Sequence, residues 1–166
     1  MTKAKIICVS GVKNSGKTTL IDKLLPKLTE LGYKVATVKH DGHEFNADVE
    51  GTDTYKHMQA GAYGTVVFSK GKFMVVKKQE NVNEKDMINF FPEADIIILE
   101  GFKGSDYPKI EIVRKGNSTE SICKEHTLIA IATDIEGLEG KNVVDLNDID
   151  LILKNILDYI HNCDKK

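Results

Sequence analysis

Residues 5–25 read KIICVSGVKNSGKTTLIDKLL, and this stretch decides the fold. Ile6, Ile7 and Val9 make an apolar run short enough for a strand buried on both faces. Gly11-Val12-Lys13-Asn14-Ser15-Gly16-Lys17-Thr18 then satisfies the phosphate-loop pattern G-x-x-x-x-G-K-[ST]. Gly11 and Gly16 let the backbone turn sharply and approach an anion with no Cβ in the way. Successive N–H groups point inward, and the helix that follows adds its positive end. Lys17 supplies a cation for the outer phosphates and Thr18 a hydroxyl for Mg²⁺. Gly11, Lys13, Asn14, Ser15, Gly16, Lys17, Thr18 and Thr19 are therefore the candidate phosphate-binding residues. A plain Gly/Ser turn with a solvated lysine leaves the coincidence of Gly16, Lys17, Thr18 and a helix start unexplained.

Outward from the loop, Leu20, Ile21, Leu24, Leu25, Leu28 and Leu31 form a helical stripe over 17–31. Pro26 threatens a kink, and Gly32 is a natural stop. A strand over 34–38 completes a right-handed βαβ unit. Lys39-His40-Asp41-Gly42-His43 lies at that strand's carboxyl end, where open α/β sheets bind ligands. A polar loop over 44–51 leads to a short helix over 54–60, ended by Gly61. Asp53 is either the cap of that helix or an acid approaching Mg²⁺ and the γ-phosphate. Strands over 65–69 and 73–77, joined by Lys70-Gly71-Lys72, form a hairpin that interrupts the βα alternation. It is expected at the edge of the sheet and apolar on both faces, its edge either protected by Lys70, Lys72, Lys77 and Lys78 or used to pair with a second subunit.

A short helix over 84–91 precedes Pro92. The run DIIIL over 95–99 is a central parallel strand, and Glu100 at its end is a Walker-B-like acid for Mg²⁺ or for a water near the γ-phosphate; the alternative is a strand end in solvent. Strands follow over 109–113, 128–132 and 143–146, then a helix over 148–161 and a frayed end over 162–166. Thr133-Asp134 stands at a strand's carboxyl end. Asp134 can accept the N1–H and 2-amino protons of guanine, a donor pair adenine lacks, or it serves as a turn residue. The fold expected is a three-layer α/β P-loop NTPase, with a mostly parallel central sheet and a hairpin inserted at about 65–78, in one domain over 1–166.

Composition narrows the class. A net charge of −2 gives no global attraction to nucleic acid, and no apolar run is long enough to span a membrane. About three residues precede the first strand, too few for a signal peptide, so the cytoplasm is the expected location. Cys8, Cys123 and Cys163 are odd in number and far apart, which suggests neither a disulfide framework nor a thiolate metal site. Cys8 is expected to be a buried small hydrophobe. His40 is the histidine nearest the ligand edge. Arg114 is the single arginine and no evident arginine finger, so a small-molecule kinase with an arginine-rich lid is disfavoured. A GTPase metallochaperone would want a Cys/His motif near the phosphate loop. A module in which nucleotide is purely structural is the non-catalytic alternative.

Taken together, the phosphate loop, VKHDGH (38–43), GTDTYKHMQAGA (51–62), VVFSKGKFMVV (66–76), IIILEGFK (96–103), PKIEIVR (108–114) and IAIATD (129–134) resemble the MobB family of molybdopterin-guanine dinucleotide biosynthesis adaptors, nearly end to end. The resemblance implies a P-loop GTPase with slow hydrolysis, GTP and Mg²⁺ as ligands, and a homodimer built partly through the hairpin. It implies partnership with a MobA-like nucleotidyltransferase and a MoeA-like molybdenum insertion protein. By position, Gly11 through Thr18 match the family's loop and Glu100 its Walker-B-type acid. Asp53 matches the acid of a switch-like segment, and Thr133 and Asp134 match the base-recognition segment. The implied catalytic set is Lys17, Glu100 and Asp53, with Thr18 and Glu100 on the metal. Lys39 and His40 match the segment after the second strand, with no chemistry assigned.

Overall fold

The structure is a computed structural model and describes residues 4–42 and 45–163. His43, Glu44 and the tail at 164–166 lie outside the described residues. In chain order the elements are β1 (Lys5–Gly11), α1 (Lys17–Glu30), β2 (Val35–Lys39), α2 (Asp53–Gln59), β3 (Gly64–Phe68), β4 (Phe73–Lys77), α3 (Glu84–Ile88), β5 (Ile96–Glu100), β6 (Lys109–Val113), β7 (Leu128–Thr133), β8 (Val143–Asp145) and α4 (Ile149–Cys163). One 3₁₀ turn, Glu125–Thr127, leads into β7. The chain divides into two compact units: one runs up to His40 and resumes at Glu84, and the other is Asp41–Asn83. Among the described residues, no helix is long and apolar enough to cross a membrane.

In the larger unit six strands form one sheet in the order β2-β5-β1-β6-β7-β8, parallel throughout. Alternation along β1 splits its side chains between the two faces. Ile7 and Val9 join Ile96, Ile98, Ile110 and Ile112 against Leu24 and Leu28 of α1 and Ile152 and Ile156 of α4. Cys8, Ile97 and Leu99 face the other way, with Val38 and with Ile88 of α3. Burial on this scale is worth about 1.5–3 kcal/mol per large aliphatic side chain. It pushes the Cys8 thiol up to about 11 and the Cys123 thiol up to about 12, so neither is a thiolate at neutral pH.

Local chemistry sets the ends of the helices. α1 runs through Pro26, whose ring sits on the exposed side. It closes at Gly32 (φ 89°), with Tyr33 N–H donating to Leu28 O and Gly32 N–H to Thr29 O, a Schellman motif. α3 ends at Ile88, three residues before the expected end, because Phe90 and Phe91 turn into tighter i→i−3 bonds. Asp148 caps α4 by accepting the Leu151 N–H at 2.9 Å, and the helix extends to Cys163, beyond the expected fraying point.

The smaller unit holds α2 and the β3–β4 hairpin, with α2 packed on β3. The N-cap of α2 is Thr52, not Asp53: the Thr52 hydroxyl accepts the Tyr55 N–H at 3.3 Å, and Asp53 is the first helical residue. Thr52 wins because it alone stands in extended backbone (φ −70°, ψ 160°), the conformation a cap needs. The hairpin forms where expected, but among the described residues it is a two-stranded sheet of its own and not an edge of the six-stranded sheet. Val66, Val67, Phe68, Phe73 and Val75 are all exposed, and no described residue of this unit is buried.

β6 departs most from its appearance in sequence. Lys109 and Glu111 alternate with isoleucine, yet every residue of the strand is buried. Glu111 accepts hydrogen bonds from the Ser121 hydroxyl, Ile122 N–H (2.8 Å) and Cys123 N–H (3.3 Å). Lys109 donates to Ser105 O (2.6 Å) and Phe102 O (3.4 Å). Each charge thus organises a loop that covers the sheet. Glu111→Ala is expected to cost about 3 kcal/mol in urea denaturation, because three donors lose a charged acceptor, and Glu111→Gln distinctly less. A cost below about 1 kcal/mol for Glu111→Ala would show that these loops hold without it.

Candidate functional site

At the carboxyl end of β1, a Cβ on Gly11 would come within 2.6 Å of the Ile112 carbonyl oxygen and 2.8 Å of Ser15 Oγ. With φ 140°, that position admits only glycine. Gly16 takes the left-handed conformation (φ 98°) immediately before α1. α1 opens with no side-chain cap and no acidic residue in its first turn. Its leading N–H groups have no intrahelical acceptor, so loop and helix together present a cradle for an anion.

Four side chains converge beside the cradle. Lys17 Nζ rests on the carbonyls of Val12 (2.6 Å) and Gly11 (3.3 Å). Its pKa is lowered, chiefly by burial; Glu100 works against that, and Lys39 and Lys103 add to it. Thr18 Oγ1 donates to Glu100 Oε1 at 2.8 Å. The sheet register places Glu100 opposite Val9 on one side and Lys39 on the other. Lys39 Nζ reaches the same Glu100 oxygen at 3.6 Å. A hydroxyl and a carboxylate side by side are oxygen ligands suited to a hard divalent cation. The residues present therefore fit both a polyphosphate and Mg²⁺. The Lys39 contact emerges only from the β2–β5 pairing, and the His40 ring packs at 5.8 Å, tilted, on Phe102 beyond Glu100.

The other expected site residues are each held by contacts of their own. Lys13 and Asn14 are exposed on the loop, and Lys13 O accepts Asn117 Nδ2 at 3.2 Å. Thr19 is exposed on α1, and Ser15 is buried. Thr133 is buried, its hydroxyl accepting the Ile135 N–H at 3.0 Å. Asp134 accepts the Lys115 N–H at 2.7 Å through Oδ1, while Oδ2 lies 4.0 Å from Arg114 Nε. Asp53 belongs to the smaller unit, exposed and 3.6 Å from Lys56. Sequence reasoning overlooked Asn117, Lys109 and Ser10, whose hydroxyl donates to Gly101 O beside Glu100. Their one signal was polar residues within the phosphate-loop strand or in and after the neighbouring β6.

The chain is 32% identical over 162 residues to the probable molybdopterin-guanine dinucleotide biosynthesis adapter protein of Bacillus subtilis (strain 168), covering 91% of this chain and 92% of that one. It is 27% identical over 167 residues to the molybdopterin-guanine dinucleotide biosynthesis adapter protein of Escherichia coli (strain K12), covering 96% and 95%. The crystal structure of Bacillus subtilis MobB matches it with a TM-score of 0.65 at 30% identity, over 91% of this chain and 97% of that one. The family described as molybdopterin guanine dinucleotide synthesis protein B matches residues 6–134, from the first strand through the phosphate loop and Glu100 to Asp134, and the chain belongs to this MobB family.

Proposed function

We propose that this chain is a GTP-binding adaptor of molybdopterin guanine dinucleotide assembly, a cytoplasmic homodimer with slow GTPase activity. The meeting of Thr18 and Glu100 at the head of an uncapped helix carries the reading. Lys17 would exchange two neutral carbonyls for phosphate oxygens, a stronger, charge-assisted set of partners. Thr18 and Glu100 would hold Mg²⁺, which when bound neutralises charge on the outer phosphates. Asp134 would read guanine through its carboxylate. Asp53, at the first turn of α2, is proposed as the second acid.

Slow hydrolysis follows from how Glu100 is engaged. Thr18 and Lys39 both hold it on the metal side, which keeps its carboxylate from being free to face an attacking water. The output of the site is then to hold and hand on nucleotide, in company with a MobA-like nucleotidyltransferase and a MoeA-like insertion protein. The dimer rests on the hairpin. Its apolar side chains are exposed, no described residue of its unit is buried, and strands with no further partner among the described residues invite pairing with a second copy.

Titration with GTP and ATP in the presence of Mg²⁺ tests the central reading. GTP is expected to bind tighter, with slow turnover that responds to the transferase; an ATP preference, or rapid transfer to a small acceptor, would sink the adaptor. Lys17→Ala should weaken GTP binding by about 100-fold with an unchanged unfolding midpoint, and undiminished affinity would mean that the loop has been misread. Glu100→Gln should keep binding GTP but lose most of the Mg²⁺ dependence of that binding, as read in metal titrations. Val67→Asp should convert dimer to monomer, and an unchanged mass by light scattering would count against the hairpin interface.

A further inference from the structure

Arg114, the chain's only arginine, stands immediately beyond β6. β6 pairs with β1 so that Ile112 lies opposite Gly11, which puts Arg114 level with the phosphate loop. Its Nη1 lies 3.4 Å from where a Cβ on Gly16 would stand. With Ser15, Gly16, Thr19, Lys23 and Asn147 it lines a cavity of about 100 Å³. Ser15 has a buried hydroxyl with no hydrogen-bond partner among the described residues.

The backbone that carries Arg114 is held firmly and its guanidinium is not. Arg114 O accepts the N–H groups of Asn117 (2.9 Å) and Ser118 (3.0 Å), closing a tight turn. Asn117 Nδ2 ties that turn to Lys13 O in the phosphate loop, and Lys115 N–H ties it to Asp134. The guanidinium is half-exposed, and its Asp134 contact, at 4.0 Å, is longer than a hydrogen bond. A planar fork of donors on a fixed backbone, beside a helix N-terminus, matches a phosphate.

Position selects which phosphate. Gly16, Thr19, Leu20 and Lys23 line the cavity from one face of α1, at the spacing of i, i+3, i+4 and i+7. Thr18 lies about 100° round the helix from Thr19, where it meets Glu100 at the metal side. We infer that Arg114 binds the α-phosphate, at the ribose end of the polyphosphate and away from the Thr18–Glu100 pair. This rests on the reading of the loop as a nucleotide site, and adds a residue that serves mono-, di- and triphosphate alike.

The test measures affinities of GTP, GDP and GMP with Mg²⁺ for the full chain, by competition where binding is weak. Arg114→Gln is expected to weaken all three by the same factor, about tenfold or more, with an unchanged unfolding midpoint, and Arg114→Lys to recover part of the loss. Lys17→Ala should weaken GTP and GDP and spare GMP. A loss confined to GTP, or no loss, overturns the assignment. If Arg114 acts only through Asp134, adding Arg114→Gln to Asp134→Asn should weaken binding no further, which also overturns it; multiplied losses support direct contact. Wild-type preference for adenine nucleotides would remove the guanine reading, and the same pattern across ATP, ADP and AMP would still support Arg114. Absence of nucleotide binding by the wild type removes both.

Discussion

The site depends on one constraint: β1 is clamped between two parallel neighbours, β5 and β6, in fixed register. Gly101 N–H donates to Val9 O on one side, and on the other Gly11 lies so close to the Ile112 carbonyl that no side chain fits. Parallel pairing sends all three carboxyl ends the same way. One edge therefore collects the phosphate loop from β1, Glu100 from β5 and Arg114 from beyond β6. The connection from β1 leads out to β2 on one flank, whereas β6 leads to β7 and β8 on the other. The carboxyl end of β1 is thus a topological switch point, where open α/β sheets form a crevice.

Electrostatics at that edge are unbalanced in a useful direction. Lys39 and Lys103 both act on Lys17 against the carboxylate of Glu100, and burial already disfavours the charged form of Lys17. A bound polyanion would reverse the sign of that local imbalance. The overall charge of −2 does not reveal it, because the imbalance is local to the ends of β1, β2 and β5. The cost of desolvating Lys17 without an anion is reduced by the Gly11 and Val12 carbonyls, which act as interim acceptors.

These features differ in how far the sequence announces them. β1, the loop and α1 were legible because turn chemistry and periodicity agree within one short stretch. β5 was legible because four apolar residues before an acid admit few other readings. The cap of α2 was not, since Thr52 and Asp53 are both good capping types and only backbone conformation separates them. Asp134 stands at its expected strand end, but its backbone partner at Lys115 belongs to a different strand's turn. Arg114 is a lone residue after a strand and acquires meaning only once β6 pairs with β1. The hairpin was visible as two strands and a turn, while its separation from the main sheet is a property of pairing that no local pattern encodes.

Lys109 and Glu111 alternate with isoleucine and are nonetheless buried, for a physical reason. Alternation normally means one wet face, but here loops at 102–107 and 117–124, not a helix, cover β6 on that side. A covering loop brings backbone groups that must find partners away from water. A buried cation and a buried anion two residues apart meet that demand, one collecting carbonyls and the other N–H groups. The consequence reaches the site. Phe102 sits at φ 51°, a costly conformation for a bulky residue, two positions after Glu100. Its carbonyl accepts from Ser105 Oγ at 2.7 Å and from Lys109. The strained turn that carries the chain away from the metal-side acid is therefore held from beneath by a lysine that never meets solvent.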